Sequence, residues 1–220
     1  VAAVVHQLRM TPNQATVISA SLSAAGIALL AVAEPSVPQA LAVAVLLAAG
    51  YVMDSVDGQL ARLRGGGSVS GEWLDHTVDT FKTSSLQLAV LISWYRFPPV
   101  EERAVLLVPI LYQVVQMATF FGLMLMPHLR RQHGATAGPD DSAAREHPLR
   151  AWAILPSDYG LMCWLFALLA FPTVFLGAYS AVVAINTVLL VLALGKWWRE
   201  LVALDQGAAP RNTARGASAP

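Results

Sequence analysis

Asp54-Ser55-Val56-Asp57-Gly58-Gln59-Leu60-Ala61-Arg62, followed after eight residues by Gly71-Glu72-Trp73-Leu74-Asp75-His76-Thr77-Val78-Asp79, places four aspartates between long apolar runs. A charged side chain at the centre of a bilayer costs on the order of 3 kcal/mol even on the mildest scales, so such residues mark a site rather than a scaffold. Asp54 and Asp57 are i,i+3 and Asp75 and Asp79 are i,i+4, so on two helices each pair projects from one face. The connection between the segments is short, which makes the helices antiparallel neighbours and lets the pairs face each other. Four carboxylates in one pocket repel, and a bound divalent cation is the natural compensation. Oxygen ligands of this kind suit Mg²⁺ or Mn²⁺ better than zinc, which prefers Cys and His.

The surrounding chain supports a membrane setting. Of its 220 residues 56% are hydrophobic and 13% charged, and the mean hydropathy is +0.55. That charged share is about half the ~25% usual in soluble domains. The formal net charge is +0, so no global basic field points to nucleic acid. Cys163 is the single cysteine, which excludes an internal disulfide and reads as a small buried hydrophobe.

Six apolar stretches are expected to form membrane helices: about 13–32, 39–63, 71–95, 104–126, 159–175 and 178–198. Each is near the ~20 residues needed to cross the hydrocarbon. The fifth and sixth are divided only by a weak break near Leu176-Gly177, with Pro172 close by. Residues 13–33 imitate a signal peptide's apolar core, but with further spans behind them an uncleaved first helix is the better reading. The chain begins at Val1, which is compatible with a trimmed start. With the amino terminus inside, the cytoplasmic segments carry Arg9, Arg62, Arg64, Arg130, Arg131, Arg145, Arg150, Lys196, Arg199, Arg211 and Arg215. The outer loops carry only Arg96 and Arg103, which fits the positive-inside rule with both termini cytoplasmic. The expectation is an all-α membrane protein: six transmembrane helices in one bundle spanning 1–205, a short N-terminal juxtamembrane segment, a mobile polar loop over 127–150 and a disordered tail over 206–220. Trp94-Tyr95-Arg96-Phe97 and Lys196-Trp197-Trp198-Arg199 read as interfacial belts.

Around the aspartates, 54, 57, 58 and 61 follow helical periodicity. Gly58 and Ala61 serve either close helix packing or room for a bulky ligand. Arg62, where the helix leaves the membrane, is a snorkelling anchor or a fork for a phosphate. Arg64-Gly65-Gly66-Gly67-Ser68 permits tight turns but lacks the Lys-Ser/Thr of a Walker loop. Thr11-Pro12 reads as an N-cap followed by Pro at N1. His76 is expected to point away from Asp75 and to be structural.

Written out, the passage is D-x2-D-G-x2-A-R-x8-G-x3-D-x3-D, and it resembles the signature of the CDP-alcohol phosphotransferase (phosphatidyltransferase) family at every fixed position. The resemblance implies an integral membrane enzyme that displaces CMP from a CDP-linked donor by an alcohol. It implies two Mg²⁺ or Mn²⁺ ions on Asp54, Asp57, Asp75 and Asp79, with Asp79 as the general base. It further implies donor contacts from Gly58, Ala61, Arg62, Ser68 and Gly71, and, through the Pro12-Asn13-x-x-Thr16 element, cytidine contacts from Asn13 and Thr16. A homodimer in the inner (cell) membrane of a bacterium, active site towards the cytoplasm, is also implied. Members of this size mostly transfer phosphatidyl from CDP-diacylglycerol to a small polar alcohol such as inositol phosphate or glycerol phosphate. Lys82, Arg150, Lys196 and Arg199 are the candidates for an acceptor's phosphate. Gly71-Glu72-x-x-Asp75-His76-x-x-Asp79 also resembles the choline/ethanolamine phosphotransferases, which use a CDP-amino-alcohol and diacylglycerol. An ion or proton-coupled transporter would spread its acids over several helices and show a repeat, and neither is seen here.

Overall fold

The computed structural model describes residues 10–63, 66, 68–133 and 159–207, without the side chains of Ala61 and Gly207. Among these the chain is entirely helical: α1 (Pro12–Val32), α2 (Val37–Leu63), α3 (Val69–Arg96), a 3₁₀ turn (Arg103–Leu106) leading into α4 (Leu107–Gln132), α5 (Tyr159–Leu165) continuing as a 3₁₀ turn (Phe166–Ala170), and α6 (Pro172–Gly207).

The helix starts follow local chemistry. At α1, Gln14 N–H donates to Thr11 Oγ1 at 3.2 Å and Thr11 N–H donates to Gln14 Oε1 at 2.9 Å, a capping box with Pro12 in the first turn. At α3, Ser68 Oγ accepts from Gly71 N–H at 3.0 Å. α1 lies along α2 and against α3, and small residues permit that approach. A Cβ at Gly50 would stand 2.3 Å from Ser23 Oγ and 3.2 Å from the Ser19 carbonyl oxygen. At the far end Arg96 Nη1 donates to the Ala31 carbonyl at 3.3 Å, so α1 and α3 span the same depth. The core on the other side of α3 is aromatic. Trp94, Tyr112, Phe175 and Tyr179 form edge-on pairs with centroids 5.4–6.0 Å apart, and the buried Tyr179 hydroxyl donates to Gln87 Oε1. Cys163 is buried among them, as expected.

Four of the described helical stretches are long and apolar enough to cross a membrane: Pro12–Val32, Val37–Leu60, Arg103–Gln132 and Pro172–Gln206. α3, with 28 residues, has the length but carries Glu72, Asp75, Asp79 and Lys82 in its first half. The expected boundary between the last two stretches moves. The break falls at Phe171, where the 3₁₀ turn ends and Pro172, with no N–H to donate, starts a new helix; Leu176-Gly177 lies inside α6. The described part of the fifth stretch is a seven-residue α-helix and a five-residue 3₁₀ turn. The polar loop expected from 127 starts later, because α4 runs through Pro127 to Gln132. Residues 134–150 of that loop and 208–220 of the tail lie outside the described residues, as do the juxtamembrane residues 1–9.

Candidate metal centre and donor cavity

α2 carries Asp54 and Asp57 and α3 carries Asp75 and Asp79, and the two helices present them to one another. Oxygens of Asp54, Asp57 and Asp75 lie within 4.8 Å of one another, and so do ligand atoms of Asp75, His76 and Asp79. Asp75 belongs to both groups and joins them. The two acidic stripes thus close on a common centre, and a carboxylate-rich donor set at this separation fits a hard divalent cation. His76 corrects an expectation. Adjacent to Asp75, it is also i−3 from Asp79, and that shared stripe brings its ring to the cluster rather than to another face. Its Nε2 also stands 4.0 Å from Glu72 Oε1.

Side chains from α1 hold the α2 carboxylates. Thr16 Oγ1 donates to Asp57 Oδ2 at 2.7 Å and lies 3.1 Å from the Pro12 carbonyl. Ser19 Oγ is 2.8 Å from the Gly50 carbonyl and 3.3 Å from Asp54 Oδ1. Asp57 and Thr16 are both buried. From α3, the buried Lys82 ammonium donates to Asp54 Oδ1 and stands 2.8 Å from Asp79 Oδ1. Lys82 therefore links carboxylates of the two helices, a contact not foreseen when this lysine was named among the candidates for an acceptor's phosphate. The signal was available: 79 and 82 are i,i+3.

Beside the cluster opens a cavity of about 590 Å³. α1 contributes Thr11, Asn13 and Thr16, α2 contributes Asp57, Gly58 and Arg62, and α3 with its cap contributes Ser68, Gly71 and Asp75. The expected donor contacts Asn13, Thr16, Gly58, Arg62, Ser68 and Gly71 are thus brought together; the Ala61 side chain lies outside what is described. Among the described residues an added Cβ on Gly58 would meet only Arg62 Nη1, at 3.8 Å, so none of the described neighbouring helices requires the glycine, which lines the cavity. Gly71 differs, because a Cβ there would press on Ser68 Oγ at 3.1 Å and Asn13 Oδ1 at 3.2 Å, where the starts of α1 and α3 meet. Gly66 has φ +126, a backbone conformation reserved for glycine. Of the glycine-rich loop, Arg64, Gly65 and Gly67 lie outside the described residues.

A second cavity, of about 460 Å³, is an apolar groove between α1 and α3 that reaches Lys82. It is lined by residues such as Ala24, Ile27, Phe81 and Leu88 and meets the acidic cluster only at that lysine. Of the remaining acceptor candidates, Lys196 and Arg199 are exposed on α6 and line neither cavity, and Arg150 lies outside the described residues.

A profile of the CDP-alcohol phosphatidyltransferase family matches residues 9–198, which include the whole centre and both cavities. The chain belongs to the CDP-alcohol phosphatidyltransferase family. Within it, the chain is 38% identical over 95 residues to the phosphatidylinositol phosphate synthase of Corynebacterium glutamicum, a match that takes in 43% of this chain and 41% of that relative. The fold is similar to crystal structures of the Mycobacterium tuberculosis phosphatidylinositol phosphate synthase. With manganese and citrate bound, that protein superimposes with a TM-score of 0.59 at 19% identity, covering 90% of this chain and 87% of its own. With CDP-DAG bound, the TM-score is 0.57 at 20% identity, with coverages of 90% and 91%.

Proposed function

We propose that this family member is a metal-dependent transferase that moves the phosphatidyl group of CDP-diacylglycerol to a hydroxyl of a small polar alcohol phosphate and releases CMP. The observation that carries the proposal is the junction of a four-carboxylate centre with a cavity lined by Asn13, Gly58, Arg62 and Ser68. The similar mycobacterial protein binds manganese in one structure and CDP-DAG in another, and the relatives' names favour an inositol phosphate as the alcohol.

In this reading Asp54, Asp57, Asp75 and Asp79 would hold two Mg²⁺ or Mn²⁺ ions, whose chemistry there would be charge neutralisation at the diphosphate and polarisation of the phosphoryl group. Arg62 and the open backbone at Gly58 receive the diphosphate, and Asn13 and Thr16 serve the nucleoside end. The acceptor oxygen attacks the β-phosphorus while the bond from that phosphorus to the bridging oxygen breaks. CMP departs with the bond's electrons, and the acceptor's proton passes to an Asp79 oxygen. The apolar groove beside Lys82 receives an acyl chain. The proposal includes six crossings with both termini cytoplasmic, a homodimer and a place in a bacterial inner membrane.

The test is a purified-protein assay with Mn²⁺ or Mg²⁺, following CMP and lipid product. CDP-diacylglycerol is offered with inositol phosphate, glycerol phosphate, serine or inositol, and CDP-choline with diacylglycerol. CMP release with CDP-diacylglycerol and inositol phosphate is expected, with a loss of at least about 1000-fold in Asp79→Asn, within the range for removing a catalytic base. CMP release only from CDP-choline would reverse donor and acceptor. Ion flux without CMP release would replace the enzyme by a transporter.

A further inference from the structure

We infer that Lys82 is a resident counter-cation of the centre, one that divalent metal must displace, so that this lysine sets how tightly the carboxylates hold metal. The inference rests on the metal-dependent reading above and assigns Lys82 a regulatory part in that same site. Its Nζ bonds Asp54 Oδ1 from α2 and lies 2.8 Å from Asp79 Oδ1 on α3. The side chain is buried, and beyond those carboxylates it faces the apolar groove of α1 and α3, whose walls supply alanine, valine, phenylalanine and leucine. An ammonium has three donors and no acceptor, so it competes for a cation's ligands and cannot join them. The carboxylates it bonds belong to both acidic groups, Asp54 to the one with Asp57 and Asp75, and Asp79 to the one with Asp75 and His76. A cation entering either group meets a positive charge already bonded to one of its ligands. Without metal, the same charge offsets the mutual repulsion of the aspartates and bridges α2 and α3, which pack on α1 rather than on each other.

The competition is measured on the full chain in detergent by Mn²⁺ titration, calorimetrically or from the spin resonance of free Mn²⁺, with melting curves in Mn²⁺ and in EDTA. Lys82→Met is expected to bind Mn²⁺ about tenfold or more tightly than wild type, a coupling of ordinary size between two ligands that exclude each other. It is also expected to melt at lower temperature in EDTA and to gain more from Mn²⁺ than wild type does. Lys82→Arg keeps the charge and is expected to stay nearer wild type on both measures. If Lys82→Met does not survive without metal, it is purified in Mn²⁺ and the ranking is read from the chelator concentration that strips each protein. Equal or weaker Mn²⁺ binding in Lys82→Met, with unchanged melting in EDTA, overturns the competition and leaves the metal centre standing. Absence of Mn²⁺ binding in wild type and both variants removes the metal reading itself.

Discussion

Thr16 has one hydroxyl proton and two acceptors within reach, the Asp57 carboxylate at 2.7 Å and the Pro12 carbonyl at 3.1 Å. The carboxylate is charged and nearer, and charge-assisted bonds are the stronger kind, so the proton belongs to Asp57. That bond orients an aspartate of the acidic cluster. Groups that orient metal ligands typically contribute about 10–100-fold in affinity or activity. Thr16→Val, which keeps the shape and removes the proton, is accordingly expected to lower kcat/KM by about that factor. Its melting temperature should stay close to wild type, because the β-branched shape is retained, and Thr16→Ser should recover most of the loss. An unchanged kcat/KM in Thr16→Val would show that Asp57 needs no such support. The grouping of the four aspartates was legible in their spacing because they lie on two consecutive helices, whereas the donor contacts came from the family pattern alone. The links from Thr16 to Asp57 and from Ser19 to Asp54 were not legible, since they join residues 41 and 35 positions apart and depend on how α1 is laid over α2.

At the level of helices, α4 and α6 are joined by features that no local pattern announces. A Cβ on Gly122 would fall 2.1 Å from Trp197 Cζ3 and 2.4 Å from Cη2, so the indole edge rests on bare α4 backbone. Two turns further along, Arg130 grips Glu200 with both ends of its fork, Nε to Oε1 at 2.6 Å and Nη2 to Oε2 at 2.8 Å. Trp197 and Trp198 looked alike in the sequence, a pair of interfacial anchors, yet Trp198 is exposed and Trp197 fills a socket. Only the partner helix distinguishes them. Gly122→Ala is expected to destabilise the protein by about 1–3 kcal/mol, the usual cost of overpacking, seen as a lower melting temperature in detergent. Adding Trp197→Ala should restore much of the difference, because the smaller side chain removes the collision. Additive losses in the double variant would mean that the two residues do not meet. The misplaced boundary before α6 has a similar origin. Leu176-Gly177 looks like a break because glycine is a poor helix former, but Gly177 lies inside α6 and, among the described residues, has nothing within 4 Å of a notional Cβ. Pro172 decides the start instead, by lacking the N–H that a preceding helix would use.

Taken whole, the molecule has two ends and an apolar waist. One end holds the cluster and the cavity, where the starts of α1 and α3 meet around Gly71 and Asn13; the other holds the Arg96–Ala31 contact and the turn into α4. The waist is little covered by protein. Only 17% of the α4 span is buried, and Leu107, Leu111, Val114 and Phe121 are exposed along it, far more apolar surface than a protein in water presents. α6, at about 54 Å for its 36 residues, exceeds the ~30 Å hydrocarbon and extends beyond it. A bilayer around this waist would leave the ends in water, and the proposed orientation rests on the basic residues. Arg130, Arg131, Lys196 and Arg199 lie at the terminus of α4 and the later part of α6, against Arg96 and Arg103 opposite.

The orientation can be tested with two exposed residues that flank α4, Glu101 before it and Gln132 at its end. Because Cys163 is the single cysteine and is buried, a Cys163→Ala background carries one new thiol at a time. With Glu101→Cys, a membrane-impermeant maleimide is expected to label right-side-out vesicles and spare inverted ones. With Gln132→Cys the pattern should reverse. Labelling of both from the same side would mean that α4 does not cross. Both patterns inverted would put the carboxylate cluster outside the cell, away from any cytidine nucleotide. That result would defeat the transferase reading even with every distance in the centre correct, because the chemistry needs its donor and its metal at the same end of the bundle.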